Sequence, residues 1–146
     1  MMISMKRILP AILVAGLAIG ALNTGLAQVK KGKTRPLTTE QLMEAIVKPH
    51  MGELKKGLVD SKPSSDEDWK KLALSAALLN ESSYTMMEDG RCPDSIWADA
   101  CTKDLREGSA AAAAAIEKKD IEGALAGFKK LGASCKACHS EHKPKH

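Results

Sequence analysis

Five consecutive residues carry the most specific chemistry in the chain: Cys135-Lys136-Ala137-Cys138-His139. Two thiols three apart with an imidazole directly after them form C-x-x-C-H, the attachment signal of a c-type haem. The spacing has a physical reason. On one turn of backbone both thiols reach the two vinyl groups of the macrocycle, while the adjacent imidazole turns to the iron. The expected cofactor is one covalent haem c, bound by Cys135, Cys138 and His139, with His139 the proximal iron ligand. The same residues suit two other chemistries. A redox dithiol is expected at a strand-to-helix junction in a βαβ setting, and no stretch here alternates over a strand's length. Zinc held by Cys92, Cys101, Cys135 and Cys138 leaves His139 unexplained and competes with oxidation in an exported protein.

Export is predicted from the other end. Lys6 and Arg7 precede an apolar run from Ile8 to Leu22, and Asn23-Thr24-Gly25-Leu26-Ala27 supplies a small-residue ending, so residues 1–27 read as a secretory signal. The run is shorter than the ~20 residues a spanning helix needs, so no membrane span is expected after cleavage. The mature chain is expected to begin at Gln28 and to work in the periplasm or otherwise outside the cytoplasm. Cleavage removes two cations and no acid, lowering the formal charge from +4 to +2. Interspersed acids and bases give no case for nucleic acid. The basic ends, Lys30-Lys31-Gly32-Lys33 and Lys143-Pro144-Lys145, read as solvated tails, the second also as a docking surface for an acidic partner. Cys92 and Cys101, not committed to haem, predict a disulfide in an oxidising compartment. Against it stands the position of Cys101 two turns into a helix, since bridged Cα atoms lie within about 7 Å.

These groups need elements to position them. Residues 28–37, polar and basic with Pro36, read as a flexible lead-in, and 38–146 as one domain. Its first helix is predicted from about Thr39 to Val59, with Thr38 and Gln41 as a capping box and Leu42, Met43, Ile46, Val47, His50, Met51, Leu54 and Leu58 on one broad stripe. Pro49 inside it lacks a backbone donor and should kink or loosen it. Ser65 and Asp68 start a second helix, ending near Met87. A third runs from about Asp94 to Lys118 through Trp97, Ala100, Leu105 and the alanines 110–115, whose small side chains allow close approach to a neighbour or a bulky cofactor. The fourth begins near Asp120 and carries Ile121, Ala124, Leu125, Phe128, Leu131 and Cys135 on one side. The predicted class is all-α, and short links between four amphipathic helices favour an antiparallel up-down-up-down four-helix bundle. One Phe, one Tyr and two Trp make an aromatic-poor core, and a buried haem would supply much of the missing apolar bulk.

With Leu131-Gly132-Ala133-Ser134-Cys135-Lys136-Ala137-Cys138-His139 near the end, and Ser95-Ile96-Trp97-Ala98-Asp99-Ala100 more weakly, the chain resembles the class II c-type cytochromes, the cytochrome c′ family. The resemblance implies a four-helix bundle with the attachment motif near the C-terminus. It also implies a five-coordinate, gas-binding iron as one functional reading, and a homodimer paired through the first two helices.

Seven residues follow His139, so a second axial ligand is sought upstream. In the predicted bundle the start of the first helix lies level with the end of the fourth, which selects Met43 as the distal ligand. His50 is seven residues further, roughly 10 Å along the axis at 1.5 Å per residue. Five-coordinate iron under an apolar cover and His50 ligation both stay open. Met86 and Met87 read as core filling, and His142 and His146 as solvated. Nothing beyond the haem suggests catalysis, so the chain is expected to be an electron carrier rather than an enzyme, its redox partner protein undetermined. Gas binding and haem-free thiol–disulfide exchange are the alternatives.

Overall fold

A computed structural model describes residues 32–143. The signal reading, the first part of the lead-in and His146 lie outside these residues. Among the described residues the architecture is all-helical, with four helices. α1 covers 39–60, α2 Asp66–Met87, α3 95–117 and α4 Ile121–His142. None is long and apolar enough to cross a membrane.

Each helix starts at a side chain that satisfies an orphaned backbone donor. Thr38 Oγ1 accepts from the N–H of Gln41 at 3.1 Å, and Gln41 Oε1 returns the bond to the Thr38 N–H at 2.9 Å. Ser65 and Asp68 make the same reciprocal pair, at 3.1 and 3.0 Å. Asp94 caps α3 through the N–H of Trp97 at 2.9 Å, and Asp120 caps α4 through that of Gly123 at 3.0 Å.

Two helices depart from regular α geometry. α1 is π-helical over Met43–Val47 and again over Lys56–Asp60, and α3 over Ala100–Arg106. The first wide turn immediately precedes Pro49, which falls in the first turn of the α-helical segment Lys48–Lys55. Proline lacks the N–H that would bond the carbonyl four residues back and its ring crowds that carbonyl, which belongs to Ala45 within the wide turn, so the loosening expected at Pro49 appears just ahead of it.

The core is one cluster that includes Leu54, Leu58, Leu72, Leu79, Met86, Trp97, Leu105, Ile116 and Leu131. The alanine run of α3 packs against α4. A Cβ built on Gly127 would lie 2.6 Å from the backbone nitrogen of Ala112, and one on Gly108 would lie 3.0 Å from that of Leu131. Small residues on both helices therefore set how closely these two backbones approach.

The lead-in is tied down over its described part. Asp89 accepts from the backbone N–H groups of Thr34 and Arg35, at 2.9 and 3.0 Å. Asp89 and Gly90 both have positive φ, 61° and 73°, which turns the α2–α3 connection sharply enough to face the lead-in. Arg91, fully buried, donates to the carbonyl of Leu37 at 2.9 Å. The flexibility expected for residues 28–37 is thus replaced, over 32–37, by a hydrogen-bonded strap.

Candidate functional site

Cys135, Cys138 and His139 occupy the last two turns of α4. Spacings of three and four put them on one side of the helix, graded from inside to outside. Cys138 is 7% exposed, Cys135 is half-buried and His139 is exposed at the rim. Ser134, one turn before Cys138, holds this part of α4 on α3 by donating to the carbonyl of Ala100 at 2.8 Å.

α1 supplies the facing wall. Met43, Val47, Met51, Cys135 and His139 line a cleft of about 460 Å³, with Glu44, Lys48 and Lys143 on its lining too. A smaller apolar cavity of about 40 Å³ adjoins it, sharing Met43, Val47, Cys135 and His139 and adding Met86, Cys101, Leu105 and Cys138. The π-helical turn accounts for the alignment on α1. In an unbroken α-helix, residues eight apart are about 80° out of line. One wider turn absorbs the extra residue, so Met43, Val47 and Met51 share a single stripe.

Met43 therefore stands where the sequence reading expects it, on the wall of the cleft that His139 also lines. Met51, on the same stripe of α1, lines the same cleft. His50 is not brought there: its Nδ1 lies 3.2 Å from Ser75 Oγ on α2. Met86 is buried core that also lines the inner cavity.

The electrostatics are those of desolvated, uncharged donors. Burial pushes the Cys138 thiol up to about 11, with the neighbouring Cys135 and Asp94 adding to the rise. Burial also raises the Cys135 thiol. The His139 imidazole is lowered from 6.5, first by desolvation and then by the Lys143 cation, which favours the neutral ring that a metal requires. Reactive dithiols need the opposite shift, toward thiolate at neutral pH, so these thiols are poorly poised for exchange.

Two sequence expectations are corrected. All four cysteines are free thiols, so the Cys92–Cys101 disulfide is not formed. Cys101, 4% exposed, faces the inner cavity alongside Cys135 and Cys138, whereas Cys92 Sγ donates to the carbonyl of Asp94 at 3.3 Å. Burial pushes the Cys101 thiol up to about 12, and Cys138 contributes more to that rise than Cys92 does. The second correction is His142, expected in solvent. Its side chain is only 12% exposed, with Nε2 3.3 Å from Asp94 Oδ1. Among the described residues no group of three or more His, Cys, Asp or Glu side chains is arranged to hold a metal ion, so the four-cysteine zinc site is not assembled.

No family model, no curated protein and no solved structure matches this chain.

Proposed function

We propose that the chain is an exported c-type cytochrome that holds one haem covalently through Cys135 and Cys138, uses His139 as proximal ligand and Met43 as distal ligand, and transfers electrons. One observation carries the reading: the motif residues Cys135 and His139 share a cleft with a thioether from a different helix. The donor set fits the group. Two thiols one turn apart flank an apolar wall, His139 at the rim is favoured in its neutral form, and about 460 Å³ lies within the ~300–1,000 Å³ of cofactor sites.

Attachment needs no oxidant. Cys135 and Cys138 would hold the group as thioethers, each S–H adding across one vinyl C=C with the sulfur on one carbon and the hydrogen on the other. When bound, the haem supplies a one-electron iron couple. The chain does the rest. His139 Nε2 or Nδ1 offers its lone pair, the Met43 sulfur offers a soft ligand that raises the potential, and Val47 and Met51 exclude water from the same wall.

The antiparallel up-down-up-down order belongs to this proposal. Supporting it, the start of α1 shares the cleft with the end of α4, and the 56–60 end of α1 also packs on α4. Residues 1–27 as a signal and a periplasmic or otherwise exported location complete the reading. A redox protein is the partner proposed, with no role for nucleic acid, no membrane span after cleavage and no catalytic residue. The family resemblance adds a homodimer.

The test is a visible spectrum of the full chain made with c-type maturation machinery, followed by acid-acetone extraction. A low-spin spectrum whose haem resists extraction supports the proposal. A high-spin spectrum shifted by carbon monoxide would replace electron transfer with gas binding. No Soret band would leave thiol–disulfide exchange.

A further inference from the structure

The turn of α4 beyond His139 is held by contacts that haem attachment does not use. His142 lies three residues on, and its Nε2 is 3.3 Å from Oδ1 of Asp94. That same oxygen accepts the N–H of Trp97 at 2.9 Å to cap α3. The His142 ring meets Trp97 edge-on, with centroids 5.5 Å apart and planes at 76°. Trp97 in turn donates its indole N–H to the carbonyl of Met86, at the end of α2, at 3.0 Å. One imidazole thus touches the start of α3 and, through a buried indole, the end of α2.

We infer that Asp94, Trp97 and His142 form a clasp that fixes the last turn of α4, making Asp94 and His142 positioning residues for the His139 ring. Helix ends fray unless something holds them, and His139 stands in the last turn. The clasp lies on one side of Cys138 and His139, and the Ser134 bond to the Ala100 carbonyl on the other. The attachment turn is therefore pinned at both ends. The direction of an imidazole toward a metal is set by the groups behind it and tunes the metal's electronics. Met86 extends the link, since it also lines the inner cavity with Cys138 and His139. What His139 does rests on the haem reading; the clasp itself does not.

The test uses the full chain in haem-loaded and haem-free forms, with Asp94→Asn, His142→Gln and the double variant. Asn keeps a side-chain oxygen to cap Trp97 while removing the carboxylate charge. In both forms, amide exchange over 138–142 should accelerate about tenfold in either single variant and no further in the double. In the haem form both single variants should move the midpoint potential in the same direction, and the double should match either. Unchanged exchange in both single variants overturns the clasp. Faster exchange with an unmoved potential overturns the positioning of His139. Absence of covalent haem in the unaltered chain rejects the haem reading and, with it, the positioning role, while the exchange data still decide the clasp.

Discussion

Gly127→Ala and Gly132→Ala add the same methyl group to the same helix, and they should change stability in opposite directions. A Cβ at 127 would lie 2.6 Å from the nitrogen of Ala112, 2.8 Å from its Cα and 2.9 Å from its Cβ. Two of those atoms are backbone, so α3 must move as a body to make room. At 132 no heavy atom comes within 4 Å. Replacing a helix-interior glycine by alanine gains up to about 1 kcal/mol, and at 132 that gain stands alone. At 127 it is set against an overpacking cost of about 1–3 kcal/mol, leaving a net loss of up to about 2 kcal/mol. Urea unfolding followed by far-ultraviolet circular dichroism measures both. The midpoint should rise for Gly132→Ala and fall for Gly127→Ala, with the denaturant slope unchanged. A Gly127→Ala protein at least as stable as the original would refute the close α3–α4 approach on which the reasoning rests.

Met43→Ala in the haem protein should abolish a near-infrared methionine–iron band and convert the iron to high spin; a low-spin spectrum that survives the substitution would reject Met43 as ligand. With its thiol pushed up to about 12, Cys101 is about one part in 10⁴ thiolate at pH 8, so iodoacetamide should label it only after unfolding. Peptide mass mapping checks this, and labelling in the native state, or blocked Cys92 and Cys101 in the unfolded, unreduced chain, would contradict the free buried thiol. Asp68, held down from 3.8 to about 2 by the Ser64 and Ser65 donors, should contribute stability that is present above its ordinary value and lost as pH falls toward about 2. The gap in urea midpoint between the original chain and Asp68→Asn should therefore close over that window, and a gap still full at about pH 2 would show that the carboxylate charge is not its source.

What could be read in the sequence was local in origin. Capping boxes at Thr38 and Ser65 and single acids at Asp94 and Asp120 mark helix starts because a side chain and a backbone N–H three residues on must meet whatever else the chain does. The C-x-x-C-H spacing and the facing position of Met43 follow from helix geometry alone. The π-helical turns left no such mark, because a wider turn over five residues has no composition of its own. His142 looked like a tail residue because its partners, Asp94 and Trp97, are more than forty residues away in the chain. The lead-in misled for the same reason, its anchor Asp89 lying 55 residues from Thr34. The Cys92–Cys101 pairing came from counting thiols, and counting ignores which way a helix aims them.

The wide turn at Met43–Val47 amounts to one residue stored inside a helix. Deleting a single position between Met43 and Met51 would restore a regular helix and leave the two methionines seven apart, within about 20° of each other, while Leu54, Leu58 and the second half of α1 kept their places. A change in length, rather than a substitution, is then the edit that removes the wide turn and still keeps both thioethers on the cleft wall. Substitution scans of α1 would never sample it.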